Sequence, residues 1–330
     1  MELRAVGQSD VKVSSIMFGA WAIGGWMWGG TDDEEAIRGI HAALDNGITT
    51  IDTAPIYGMG HSEEVAGKAI KGRRGGVVIA TKCGMRWDRA GGEFYFDTEV
   101  PGIGRRKVYR NLRPDSIREE CDASLRRLGV DVIDIYQCHW PDSTTPIAET
   151  MGALLDLQRA GKVRAIGVSN FSPEQMAECL RHGRIDSDQP KYNALERGIE
   201  TDVLPCCREN NLSVFAYSPI AQGLLTGKVT VDRQFPEGDV RRNKPLFSTA
   251  NRKRVLDMLE RLRPVADAHS ASFAQLFLAW TVAQPGLTAA IAGARNARQG
   301  AENARAGAIQ LAEDELRRIR DAVEGLDLET

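Results

Sequence analysis

Three observations predict an α/β fold of the single (β/α)8 TIM-barrel class spanning residues 1–330, with an N-terminal hairpin and long βα loops at its C-terminal face. Short apolar, β-branched runs alternate with longer segments of helical period along the whole chain. Eight such runs can be counted after the hairpin. The polar residues able to carry chemistry gather where those runs end, which in a parallel barrel is one shared mouth.

The hairpin is expected over residues 3–13, turning near residues 7–10. The eight strand candidates follow as "SSIMFGAW", "TTIDTA", "VVIATK", "VIDIYQCHW", "RAIGVSNF", "SDQPKYNAL", "SVFAYSPI" and "TAAIAGAR". Between them lie helical patterns. "DDEEAIRGIHAALDNG" carries apolar or small residues at Ala36, Ile40, Ala43 and Leu44 and stops at Gly47. "PDSIREECDASLRRLG" opens with Pro114, holds acids early and Arg126 and Arg127 late, and stops at Gly129. No repeat, low-complexity tract or Pro/Gly/Ser linker divides the chain, so one domain is expected. Two connections are unusually long: residues 84–113, with Trp87, Phe94, Tyr95 and Phe96, and residues 226–248, with several basic side chains. Their length, and the aromatics of the first, suggest functional lids.

Composition narrows the function classes. The chain has 42% hydrophobic and 26% charged residues and a formal charge of -3, so it lacks the basic surface that a phosphate backbone requires. Nucleic acid is not an expected partner. The six cysteines, at 83, 121, 138, 179, 206 and 207, show no CxxC pair and suit a reducing compartment. With no long apolar window and no apolar run at the N-terminus, the expectation is a cytoplasmic protein that makes no membrane contact. Nothing in the residues sets the oligomeric state, and a monomer is expected.

Taking the strand ends in order, Asp52 and Tyr57 follow the second strand, Lys82 ends the third and His139 ends the fourth. Ser169 and Asn170 end the fifth, Gln189 and Asn193 belong to the sixth, and Tyr217 and Ser218 end the seventh. Alone, each has a plain structural reading: a cap, a solvated charge or a satisfied core group. Together they make an acid–base set. A phenol titrates near ~10, a neighbouring ammonium favours phenolate, and a carboxylate keeps that ammonium charged. Tyr57 tuned by Lys82 and Asp52, with His139 as a further hydrogen-bonding group, suits protonation of a carbonyl oxygen while hydride reaches its carbon. Hydride requires a cofactor. No GxGxxG follows a strand, "GLLTGKV" is too short for a phosphate-binding P-loop, and the five histidines have no metal-binding spacing. That leaves "IAGARNARQGAEN", where a helix start and Arg295 can hold a phosphate. No metal is expected.

These stretches, with "GITTIDTAPIYGMGHSEEVAGKAI", "DVIDIYQCHWPD", "KVRAIGVSNF", "QPKYNALERGIE" and "AYSPIAQGLLTGK", resemble the aldo-keto reductase superfamily over almost the whole chain. They look most like the bacterial subgroup of general-stress and inositol-cluster reductases. The resemblance implies a catalytic tetrad of Asp52, Tyr57, Lys82 and His139. It also implies an extended nicotinamide cofactor held by Ser169, Asn170 and Gln189 at the carboxamide and by Tyr217 at the ring. Ser218, Pro219, Ile220, Gln222 and Gly223 would wrap the pyrophosphate, and Gly293, Ala294, Arg295, Gln299, Glu302 and Asn303 the adenosine half. Ala20, Trp21, Asp52 and Lys228 complete the cofactor candidates.

Two departures bear on cofactor choice: Gln299 stands where many members have Arg, and Gly293-Ala294 replaces a frequent Lys-Ser. Arg295 still favours NADP(H), with NAD(H) the alternative. Trp21, Trp26, Trp28, Trp87 and Trp140 suggest an aromatic-walled pocket for a small carbonyl or alcohol substrate. Two other functions share these residues: an interaction protein like the potassium-channel β subunits of the same superfamily, and a lyase using Lys82 as a Schiff-base amine.

Overall fold

The computed structural model is described over residues 1–329. Strands β1 (Leu3–Ala5) and β2 (Lys12–Ser14) form the antiparallel N-terminal hairpin. The chain continues through β3 (Ile16–Gly19), α1 (Asp33–Asp45), β4 (Thr50–Asp52), α2 (His61–Ile70) and β5 (Val78–Cys83). Three further strands, β6 (Met85–Arg86), β7 (Glu93–Val100) and β8 (Gly104–Arg110), precede α3 (Pro114–Leu128) and β9 (Ile133–Cys138). Then come α4 (Ile147–Arg159), β10 (Val163–Ser169), α5 (Pro173–His182), β11 (Ser187–Gln189), α6 (Val203–Glu209) and β12 (Ser213–Tyr217). The last part is α7 (Thr249–Ala268), α8 (Phe273–Val282), β13 (Ala289–Gly293), α9 (Ala297–Arg305) and α10 (Glu313–Glu324).

Strands β3, β4, β5, β9, β10, β11, β12 and β13 close into one parallel barrel in that order. Buried on both faces, they read as continuous apolar runs rather than alternating ones; every residue of β9 is buried. Helix signals in the sequence act where they stand. Asp32 accepts the Glu35 amide at the start of α1, whose first turn carries Asp33, Glu34 and Glu35. Pro114 opens α3, and Gly129 closes it at φ 65°, a left-handed cap that favours glycine. The hairpin closes the bottom of the barrel, packing Val6, Val11 and Val13 against Met17, Ile135 and Phe215. Arg4 ties it there by donating to the carbonyls of Val282, Leu287 and Thr288.

The structure corrects three boundaries. The first strand ends at Gly19, so Trp21 lies in the loop beyond it, and the sixth is only Ser187–Gln189, with Asn193 outside. Pro190 explains the latter, since it has no amide to continue the ladder. Residues 84–113 are no plain loop: they hold a three-stranded antiparallel sheet, order β6-β8-β7, in which β-branched and aromatic residues pair. The structure shows residues 226–248 as expected, without a strand, carrying only a short 3-10 turn at Pro245–Phe247.

Candidate active site

Barrel closure sets Asp52 opposite Ala80 across β4 and β5, and Lys82 opposite Gln137 across β5 and β9. Lys82 therefore points into the barrel, and its ammonium is wholly buried (0% exposed). It donates to Asp52 Oδ1 at 2.8 Å, to the Thr53 carbonyl at 2.9 Å and to the Tyr57 hydroxyl at 3.5 Å. Asp52 uses its second oxygen to accept from Gln189 Nε2 at 2.8 Å. His139 meets Tyr57 edge to face, ring centroids 5.7 Å apart. Its amide donates to the Cys83 carbonyl at 2.9 Å, which holds the ends of β5 and β9 level. The four sequence candidates thus converge on one point.

Burial decides the charges here. Desolvation, with the Asp52 carboxylate adding to it, pushes the Tyr57 phenol well above its ordinary value. The expectation that Lys82 would lower it is not met in this state: burial and the Asp52 carboxylate set the direction. Desolvation pulls Lys82 down while Asp52 pushes back. His139 is driven well below its usual value by burial and then by Lys82, so the imidazole is neutral. The site therefore holds a protonated phenol and a neutral ring beside one sealed ion pair.

Above the tetrad opens a cavity of about 670 Å³, within the range of small-molecule sites. At its walls stand Trp21, Asp52, Tyr57, His139, Ser169, Asn170, Gln189, Tyr217, Ser218, Pro219, Ile220, Gln222, Gly223, Lys228, Gly293, Arg295, Gln299, Glu302 and Asn303. Tyr217 donates to Asn170 Oδ1 at 2.9 Å, and Asn170 Nδ2 reaches the His139 carbonyl at 3.1 Å, so the ends of three strands are cross-linked. Lys82 lies beneath the floor. Ala20 and Ala294, both almost fully buried, face the packed layer behind the wall. Ser218, Ala221 and Gln222 all have positive φ, between 47° and 56°, local strain of the kind that collects at functional loops.

Of the five candidate tryptophans, Trp21, Trp26, Trp28 and Trp140 reach the cavity. Trp87 does not; it packs, half-buried, against a cluster that includes Trp26, Ile56, Met85 and Val108. Met85, Tyr95 and Phe96 line it instead. Those three, and the cations Lys191, Arg233, Arg241 and Lys244, are site residues that the strand-end reading passed over. Met85 and Lys191 apart, the signal was present in the aromatic and basic content of the two long connections. Arg241 stacks on Trp28 and Phe235 at 5.0 and 4.7 Å and donates to the Gln222 carbonyl. Val240 donates to the Met27 carbonyl at 3.1 Å. The connection after β12 is thereby fastened to the loop after β3 across the mouth.

Fold and site together define a parallel barrel with an acid–base centre at its C-terminal mouth and a long, partly cationic cavity above it. The chain belongs to the aldo/keto reductase family, whose model matches residues 15–324. It is 42% identical to the NADH-specific methylglyoxal reductase of Escherichia coli, with 98% of each chain covered. It is 32% identical to an NADP(+) aldo-keto reductase of Schizosaccharomyces pombe, covering 98% of this chain and 92% of the other. The solved glycerol dehydrogenase of Gluconobacter oxydans superimposes with a TM-score of 0.86 at 40% identity, over 97% and 94% of the two chains. The protein is accordingly an oxidoreductase of small carbonyl compounds that works with a nicotinamide cofactor. No helix among the described residues is long and apolar enough to cross a membrane.

Proposed function

We propose that the protein reversibly reduces aldehydes and ketones to alcohols, with Tyr57 giving its proton to the carbonyl oxygen in reduction and taking it back in oxidation. The supporting observation is the buried Lys82 ammonium, paired with Asp52 and in contact with the Tyr57 hydroxyl. The cavity suits an extended dinucleotide. One end is the polar tetrad floor, Tyr217 offers a fixed aromatic face, and Lys228, Arg233, Arg241 and Lys244 match the charge of a diphosphate. When bound, that cofactor supplies the hydride. Tyr57 donates the proton, Lys82 stabilises the phenolate left behind, Asp52 keeps Lys82 charged, and neutral His139 orients the carbonyl oxygen. Trp21, Trp26, Trp28, Trp140, Tyr95 and Phe96 wall the substrate side and exclude water. Such a wall accepts aldehydes, ketones or sugar-like carbonyls without selecting charge.

A lyase would need Lys82 as a free amine, but that nitrogen is sealed from the cavity and has three partners. A channel-subunit role would leave the site without turnover. Activity with a panel of aldehydes, ketones and polyols, using both dinucleotides, tests the proposal; no turnover on any of them would contradict it. Borohydride trapping of a substrate adduct on Lys82 would establish the lyase instead.

For the cofactor we propose NADP(H), on the strength of Arg295 at the adenosine end. One observation favours NAD(H) as the second reading: Arg295 already donates to the carbonyls of Gly30 at 2.8 Å and Trp28 at 3.4 Å. Arg295→Ala should weaken NADPH about tenfold more than NADH, the worth of one charge-assisted contact. Equal losses in titrations with the two would assign Arg295 to holding the loop. The six cysteines are all free, in keeping with the cytoplasmic location that we infer.

A further inference from the structure

The structure holds a buried carboxylate that the proposed mechanism does not use. Glu120, on α3 and 5% exposed, lies behind the barrel wall. Both of its oxygens accept the Gly84 amide, at 3.0 and 3.1 Å, and one also accepts from Ser116 Oγ at 3.2 Å. Gly84 is the residue at which the chain leaves β5, two positions after Lys82. Its φ of +91° turns the backbone sharply outward, and a side chain there would strike Leu112 at 2.4 Å. Its carbonyl accepts the Asn111 amide at 2.9 Å.

What Gly84 launches is the substrate-side wall. Met85, the next residue, reaches the cavity and pairs in register with Arg110 of β8. Arg110 lies over the rings of Tyr95 and Trp140, at 3.9 and 5.1 Å. Trp140 directly follows His139. A continuous run of contacts therefore leads from Glu120 through Gly84, Met85 and Arg110 to the two aromatic rings beside the reacting centre.

We propose that Glu120 is a positioning residue for substrate binding: its grip on the Gly84 amide fixes where the aromatic wall stands relative to Tyr57 and His139. The proposal rests on the reductase reading only for its kinetic readout. The grip depends on ionisation. Burial pushes the Glu120 carboxyl up to about 7, against the pull of Arg86, the Gly84 amide and Ser116. The other groups facing it are Asp88 and Glu119, both paired with Arg86, the Cys83 thiol on β5 and the Tyr136 hydroxyl on β9. Both of those protons are held far above neutrality by burial, so Glu120 is the group of this cluster that changes charge near pH 7. Below that pH it presents a neutral carboxyl to Gly84. Above it the bond becomes charge-assisted, roughly twice as strong, and the wall is held more firmly.

In the wild type, KM for a bulky carbonyl should fall about fivefold as pH rises through the midpoint, while kcat does not share that step. Glu120→Gln keeps shape and an acceptor but cannot ionise. It should hold the low-pH KM throughout, with dinucleotide affinity unchanged. A KM that keeps the wild-type step in Glu120→Gln, or a loss confined to kcat, overturns the proposal. If Glu120→Gln fails to fold, Arg86→Gln decides: removing the nearest cation should move the midpoint to higher pH, and an unmoved midpoint overturns the proposal. Tryptophan emission, which includes Trp140, reads the same step without turnover. A protein that reduces no carbonyl yet shows a step abolished by Glu120→Gln would refute the reductase reading and leave Glu120 in its role.

Discussion

Taking an ammonium out of water costs several kcal/mol, and only a close partner with further hydrogen bonds offsets it. Lys82 has that arrangement in Asp52, the Thr53 carbonyl and the Tyr57 hydroxyl. Removing the cation leaves the Asp52 carboxylate buried with only Gln189 as donor. Lys82→Met should therefore lower stability by about 3–5 kcal/mol as well as turnover. Urea unfolding reads this; an unchanged midpoint would mean that the pair is solvated in practice. The identity of the tetrad was legible in the sequence because each member stands at a strand end or in the loop just beyond one. The direction of the Tyr57 shift was not, because it is set by how far the barrel excludes water, which residue types alone do not reveal.

At the scale of elements, β11 carries another buried carboxyl. Asp188 faces away from the barrel interior, and among the described residues neither of its oxygens has a hydrogen-bond partner, although the Gln189 and Phe171 amides lie near. Burial raises it to about 8. The fold thus favours its acid form, so the stability it contributes is complete below the ordinary carboxylate value of ~3.9 and is lost as pH rises through about 8. Asp188→Asn removes that decline. Its advantage over wild type in unfolding free energy, measured with urea, should grow from about pH 5 to pH 8, by up to ~1.4 kcal/mol per unit. A constant difference across that range would show that Asp188 is ionised throughout.

Elements were unevenly legible. Long strands such as β9 and β10 stand out as apolar runs, but β11 is three residues cut short by Pro190. The three-stranded sheet was hidden because β7 and β8 mix charged and aromatic residues without strict alternation around the turn at residues 101–103, a pattern that also suits a polar loop. Trp87 was misplaced for the same reason: without the sheet, its facing direction cannot be known.

For the whole molecule, closure of the barrel is what brings residues 52, 57, 82 and 139 together from three βα units. The interior beneath the site is a packed plug in which Phe215 meets the N-terminal hairpin. Phe215→Ala should cost about 3–5 kcal/mol by urea unfolding, without altering the residues at the mouth. A loss under about 1 kcal/mol would mean that the plug collapses around the gap. The alternating pattern made the barrel legible from end to end, since parallel strands need covering helices on the outside. The cationic cavity wall was less so, because Arg241 and Lys244 reach the mouth along an irregular connection that no periodicity describes.

The central claim is that Tyr57 is the proton donor. Tyr57→Phe keeps the ring and removes the hydroxyl, so oxidation of reduced nicotinamide dinucleotide by an aldehyde, followed by absorbance, tests it most directly. The rate should fall by about 10²–10⁴-fold while dinucleotide binding, followed by fluorescence quenching, persists. Wild-type turnover in that variant would contradict the account.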